Sequence, residues 1–134
     1  MLHMLDTDTA SYLIKGRSPV IEAHLATLLS SNVCISVMTR AELLYGLKRL
    51  PPEHRLHLAV RHFLKIVRVL PWDADAADFY ADIRYQLVTT GQPIGEMDMM
   101  IAAHSLSAGA VLVTNNIRHY QRIVAPLILV NWSE

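Results

Sequence analysis

Cysteine is almost absent from this 134-residue chain: one residue, Cys34, so no internal disulfide framework can form. Cys34 lies in the apolar run Val33-Cys34-Ile35, which reads as a reduced core thiol in a cytoplasmic protein. Neither sign of charge is in excess, with 12 Lys plus Arg against 12 Asp plus Glu. That excludes a strongly cationic coat for nucleic acid but not a locally basic groove. Glycine is scarce at five residues, and neither G-x-x-x-x-G-K-[ST] nor G-x-G-x-x-G occurs, so a nucleotide-cofactor loop is not expected. No G-x-S-x-G elbow is present for a serine nucleophile. No apolar stretch approaches the roughly 18 residues of a membrane span. The apolar N-terminus is broken at Asp6 and Asp8 and lacks the basic n-region of an export signal. Repeats and low-complexity segments are missing too.

What is there is a core. Hydrophobic residues make up 52% of the chain and charged residues 18%, which excludes a disordered chain. The length suits one domain, residues 1–134. Short apolar runs at 1–5, 33–36, 66–70, 111–113 and 127–130 read as buried strands. Amphipathic stretches between them predict helices at 10–15, 20–29, 41–49, 53–65, 75–89 and 97–107, with a short turn near 116–122. Strands separated by helices require crossovers, and so an α/β fold with a central parallel sheet covered on both faces. Ligands in such sheets bind beyond the carboxyl ends of the strands.

That rule brings an acidic set together. Asp6 and Asp8 follow the first strand, Glu42 follows the second, Asp98 opens the sixth helix, and Asn115 and Asn116 follow the fourth strand. Clustered carboxylates repel unless a hard divalent cation sits among them. Oxygen donors without a Cys/His set point to Mg²⁺ or Mn²⁺ rather than Zn²⁺. Each residue also has an ordinary structural reading. Asp6 or Asp8 could cap the first helix, Asp8 being better placed. Thr39-Arg40-Ala41-Glu42 fits a capping box, Glu96 and Asp98 suit a helix N-terminus, and Asn116 suits a turn. Residues 40–68 carry a net +5 and residues 69–98 a net −5, which by itself describes two solvated faces. His54, His57 and His62 read as a solvated or RNA-facing surface, and His104 as a packed histidine.

Four segments, Met4-Leu5-Asp6-Thr7-Asp8, Ile35 through Gly46, Ile94 through His104 and Val113-Thr114-Asn115-Asn116, together resemble PIN-domain ribonucleases, and among these the VapC toxins of toxin–antitoxin pairs. The resemblance spans essentially the whole chain. It implies a three-layer α/β/α domain and a metal-dependent endoribonuclease. Asp6, Glu42 and Asp98 fall on the family's principal acidic, metal-binding positions. Asn116 stands at a fourth position that is often Asp, where it adds an oxygen but no charge. Asp8, Thr7 and Thr114 support the site. The implied chemistry is cleavage by metal-activated water, which leaves a 5′-phosphate and a 3′-hydroxyl and needs no histidine pair. Basic residues of the 40–68 segment, with Arg118 or Arg122, could bind the RNA backbone. The implied partners are a VapB-type antitoxin and a second copy in a homodimer. A groove lined by Leu13, Ile14, Leu25, Leu28, Leu58 and Phe63 would take the antitoxin tail. Likeness to enteric-type toxins acting on initiator transfer RNA makes transfer RNA the expected substrate. Asp6-Thr7-Asp8-Thr9 also fits the D-x-D-x-[TV] signature of haloacid-dehalogenase-type phosphatases, with Asp6 as nucleophile, but no lysine follows Lys65 to complete that site. A non-catalytic binding module, its acids all caps, is the remaining alternative.

Overall fold

Each apolar run forms a strand in the computed structural model, which describes residues 1–133. The strands are β1 (His3–Leu5), β2 (Val33–Ser36), β3 (Arg68–Leu70), β4 (Val111–Val113) and β5 (Leu129–Val130). All neighbours pair in parallel, in the order β3-β2-β1-β4-β5. The helices are α1 (Thr7–Lys15), α2 (Pro19–Ala26), α3 (Val37–Lys48), α4 (Leu56–Ile66), α5 (Ala74–Thr89), α6 (Glu96–Ala108) and α7 (Ile117–Tyr120), with a 3₁₀ turn at Ser30–Asn32. The chain builds outward from β1 to β3 on one side, then returns to lay β4 and β5 on the other. The strand order therefore reverses at β1, and the crevice beyond its carboxyl end is the natural ligand position.

Alternation along the strands sorts the core into two layers. Met4, Cys34 and Leu112 face α5 and α6, packing with Ile83, Leu87, Ala102 and Tyr120. Leu5, Ile35 and Val113 face the other way, toward α1 and α2, with Ala10, Ile21 and Trp132. Side chains so buried contribute roughly 1.5–3 kcal/mol each when large and apolar. A smaller cluster joins Leu43 and Leu47 of α3 to Val60 of α4. The three-layer arrangement follows directly, and Cys34 is the core thiol that its context predicts.

Three helix starts differ from expectation by three residues or more: α4 begins at Leu56 rather than at 53, and the other two differences shape the site. Asp6, not Asp8, caps α1: its Oδ1 accepts from the Thr9 amide at 2.9 Å, and the helix begins at once at Thr7. Asp8 sits exposed in the first turn. Likewise α3 has no Thr39–Glu42 capping box. Ser36, the last residue of β2, accepts from the Met38 amide at 3.0 Å, so the helix starts four residues earlier than expected, without a connecting loop. Thr39 becomes a buried first-turn residue, and Glu42 moves to the second turn with its carboxylate free of capping. The end of α2 also comes early, at Ala26, where the Thr27 hydroxyl donates to the His24 carbonyl at 2.7 Å. Ser18 and Asp73 cap α2 and α5, and Gly109 ends α6 at φ 63°, a left-handed turn that favours glycine. No helix among the described residues is long and apolar enough to cross a membrane.

Candidate acidic centre at the sheet edge

Leu5 lies opposite both Ile35 and Val113, so β1, β2 and β4 end side by side. Asp6 is fixed there by its own backbone, whose amide donates to the Val113 carbonyl at 3.0 Å. Its side chain is 4% exposed. Burial raises its carboxyl pKa above the usual aspartate value, and hydrogen bonds from Thr114 and Thr9 partly offset this. Glu42 reaches the same region from α3. Its Oε1 accepts from the Thr7 hydroxyl, which lies 3.2 Å from that of Thr39. Asp98 arrives from the first turn of α6. Its Oδ1 accepts from the Tyr120 hydroxyl at 3.2 Å.

Electrostatics bind these residues into one unit. Glu42 and Asp98 are half-buried, and desolvation is the main reason that their carboxyl pKa values also rise. Like charge adds to this: Asp98 acts on Glu42, and Asp8 acts on Asp6, Glu42 and Asp98 alike. Single donors from Thr7 and Tyr120 oppose the rise at Glu42 and Asp98. The Tyr120 ring is 1% exposed, and burial beside carboxylates pushes its phenol far above the usual range, so it stays a donor. Three desolvated carboxylates, all in the field of Asp8 and surrounded by oxygen-only donors, fit a hard divalent cation. Among the described residues no three His, Cys, Asp or Glu side chains stand ready as a coordinating group. Each acid is turned toward a protein donor: Asp6 to the α1 N-terminus, Glu42 to Thr7 and Asp98 to Tyr120.

Asn116 precedes α7 near this edge, but its side chain makes no cap bond; Nδ2 lies 2.7 Å from Nδ1 of His119. Its backbone amide donates to the Thr114 hydroxyl at 2.9 Å, so the turn after β4 is tied to the strand end that supports Asp6. The histidine readings divide. His104 is a packed histidine, 2% exposed, with Nδ1 2.8 Å from the Ser36 hydroxyl. Burial lowers its pKa, so the neutral ring braces the cap of α3. His57 departs from the solvated reading, because its Nε2 is buried without a hydrogen-bond partner.

A cleft of about 350 Å³ opens from the centre between α1, α3 and α4. Thr7, Asp8 and Glu42 lie in its wall, with Lys15 and Arg49 also lining it. The groove expected from the sequence is divided. Ile14 lines this cleft, whereas Leu13, Leu25, Leu28 and Phe63 line a separate apolar cavity of about 400 Å³. Leu58 is 79% exposed and lines neither. Arg122 is also less free than expected, since it donates to the Pro93 carbonyl at 2.9 Å. Tyr120 and Lys15 had no distinguishing mark in the sequence. The one available signal was a tyrosine four residues after Asn116, in the turn that follows the site.

Comparison with known proteins identifies the family and the fold. Residues 3–124 match the PIN domain family. The tRNA(fMet)-specific endonuclease VapC of Salmonella typhimurium is 42% identical over 121 residues, covering 90% of each chain. The enzyme of the same name from Shigella flexneri is 35% identical over 130 residues, covering 97% of each. The DNA-bound VapBC structure from Salmonella typhimurium superposes with a TM-score of 0.89 at 38% identity, covering 98% of this chain and 99% of that one. VapBC2 from Rickettsia felis, bound to a promoter DNA fragment, also gives 0.89, at 32% identity and the same coverage. With the match over residues 3–124, these relatives and the shared fold in agreement, the chain belongs to the PIN-domain family and, within it, to the VapC ribonucleases.

Proposed function

We propose that the chain is a Mg²⁺-dependent endoribonuclease toxin that cuts transfer RNA and is neutralised by a VapB-type antitoxin. The observation that carries this reading is the burial of Asp6 with Glu42 and Asp98, all with raised carboxyl pKa values, beyond the end of β1. Asp6, Glu42 and Asp98 would hold the cation, with Mn²⁺ as a substitute for Mg²⁺. When bound, such a cation acidifies water and neutralises charge on the scissile phosphate.

The chain's own residues do the rest. Thr7 fixes the rotamer of Glu42, and hydrogen bonds from Thr9 and Thr114 favour the ionised form of Asp6. Asn116 serves as an auxiliary oxygen ligand or orients the attacking water, without adding charge. Lys15 and Arg49 in the cleft, with Arg40 and Lys48 on α3, take phosphates flanking the cut. The RNA 2′-hydroxyl is not the nucleophile, so the products carry a 5′-phosphate and a 3′-hydroxyl. The phosphatase alternative is disfavoured, because no lysine follows Lys65 to complete that site and the match over residues 3–124 is to the PIN domain.

The partner reading rests on the VapBC complexes among the similar structures. An antitoxin arginine entering the cleft would meet Asp8 and Glu42, and apolar side chains beside it would supply most of the affinity. Exposed Tyr85 and Val88, three residues apart on α5, suit a face shared between copies in a homodimer. The substrate follows the two tRNA(fMet)-specific relatives. Sequencing of newly formed 5′ ends in a total RNA digest tests it. A single internal cut, concentrated in the initiator transfer RNA, is expected. Cuts spread over messenger and ribosomal RNA would overturn the substrate assignment.

A further inference from the structure

Asp98 is held on one oxygen and given room on the other, and neither feature involves a cation. On one side the buried Tyr120 hydroxyl donates to Oδ1 at 3.2 Å, reaching across 22 residues from α7. On the other, Oδ2 lies over the bare Cα of Gly95: a Cβ placed there would come within 3.2 Å of it. Gly95 occupies the N-cap position of α6 at φ −56°, where any residue fits, and no side chain caps that helix end. The glycine is therefore not required by the backbone. It leaves room for the carboxylate to fold back over the start of its own helix, where the dipole favours negative charge.

We propose that Tyr120 and Gly95 are positioning residues that keep the Asp98 carboxylate at the sheet edge, where the cation would bind, rather than in solvent. The proposal rests on the metal-site reading above. Without them, repulsion from Glu42 and Asp8 would drive a half-buried aspartate toward solvent, and the cation would have to draw it back on binding. A ligand already kept at the edge lessens this reorganisation. The restraint matters more here because Asn116 brings no fourth negative charge. Tyr80 supplies an internal comparison. Its hydroxyl donates to Glu96 at 2.9 Å, at the same end of α6, but on the exposed surface.

The test is calorimetric titration of Mn²⁺ into the metal-free wild type, Tyr120→Phe, Gly95→Ala and Tyr80→Phe, alongside thermal unfolding of each without metal. Phenylalanine fills the Tyr120 site, and alanine displaces only a flexible carboxylate. The expected result is Mn²⁺ affinity about tenfold weaker in Y120F and in G95A, equivalent to roughly 1.4 kcal/mol, with Y80F unchanged and all melting temperatures near wild type. Equal or tighter Mn²⁺ binding by folded Y120F and G95A would overturn the proposal. If the wild type itself binds no Mn²⁺, the metal-site reading fails instead.

Discussion

The Thr7 hydroxyl, on the first residue of α1, donates to Oε1 of Glu42 on α3, 35 residues away in sequence. This bond crosses from the end of β1 to the helix that follows β2 and ties Glu42 to the residue next to Asp6. Thr7→Val keeps the shape and removes the donor. RNA cleavage should fall about tenfold, the scale of one hydrogen bond to a charged group. The melting temperature should shift by only a few degrees, and Thr7→Ser should retain activity. Steady-state cleavage rates with thermal unfolding check this.

Asp98 has a carboxyl pKa above the usual aspartate value, and burial is the first cause. The folded state therefore holds this proton more tightly than the unfolded chain does. Its contribution to stability is greatest below the unfolded pKa and is lost as pH rises through the folded one. Asp98→Asn removes that loss. In metal-free protein the variant should gain melting temperature relative to wild type as pH rises from about 4 toward 7, and it should be inactive. Mg²⁺ should stabilise the wild type far more than the variant. A pH-independent drop in stability would make Asp98 a structural residue.

Asn116 is bonded through its side chain to His119 rather than to any of the three acids. As an auxiliary group it should tolerate Asn116→Asp with activity retained, whereas Asn116→Ala should weaken cleavage or raise the Mg²⁺ requirement. Cleavage measured across a Mg²⁺ series separates the two effects. Wild-type behaviour of the alanine variant would remove Asn116 from the site.

The guanidinium of Arg49 lies 6.0 Å from the Tyr45 ring and lines the cleft with Lys15. Replacing Arg40, Lys48 and Arg49 by Gln should weaken RNA binding and flatten its salt dependence. The log–log slope should fall by about one for each phosphate that the variant no longer neutralises. Binding titrations between low and moderate salt measure that slope. An unchanged slope would leave these charges as an ordinary solvated face.

Periodicity was enough to find all five strands and most of the helices, because buried parallel strands are short apolar runs that little else imitates. Helix starts were less legible. Val37 and Thr39 are β-branched and suit strands better than helices, and they masked an α3 that begins directly at the end of β2. Ser36 serves both as a strand residue and as a cap, so no loop marked the change. Asp6 reads as a metal ligand or as a cap in the sequence, and in the structure the cap is real: backbone bonding fixes the same carboxylate that the site would use. Tyr120 carries no mark in the sequence, because a bond spanning 22 residues has no local pattern. The apolar residues of the expected antitoxin groove lie on α1, α2 and α4, and hydropathy alone does not tell which of them share a cavity. The fold sends them to different cavities.

The most direct test is to incubate purified, antitoxin-free protein with initiator transfer RNA in Mg²⁺ or in excess EDTA, with Asp98→Asn in parallel, and to map the new ends. The account predicts an internal cut with a 5′-phosphate and a 3′-hydroxyl in Mg²⁺, and none in EDTA or with the variant. Equal cutting in EDTA, equal cutting by Asp98→Asn, or 2′,3′-cyclic phosphate ends would contradict it.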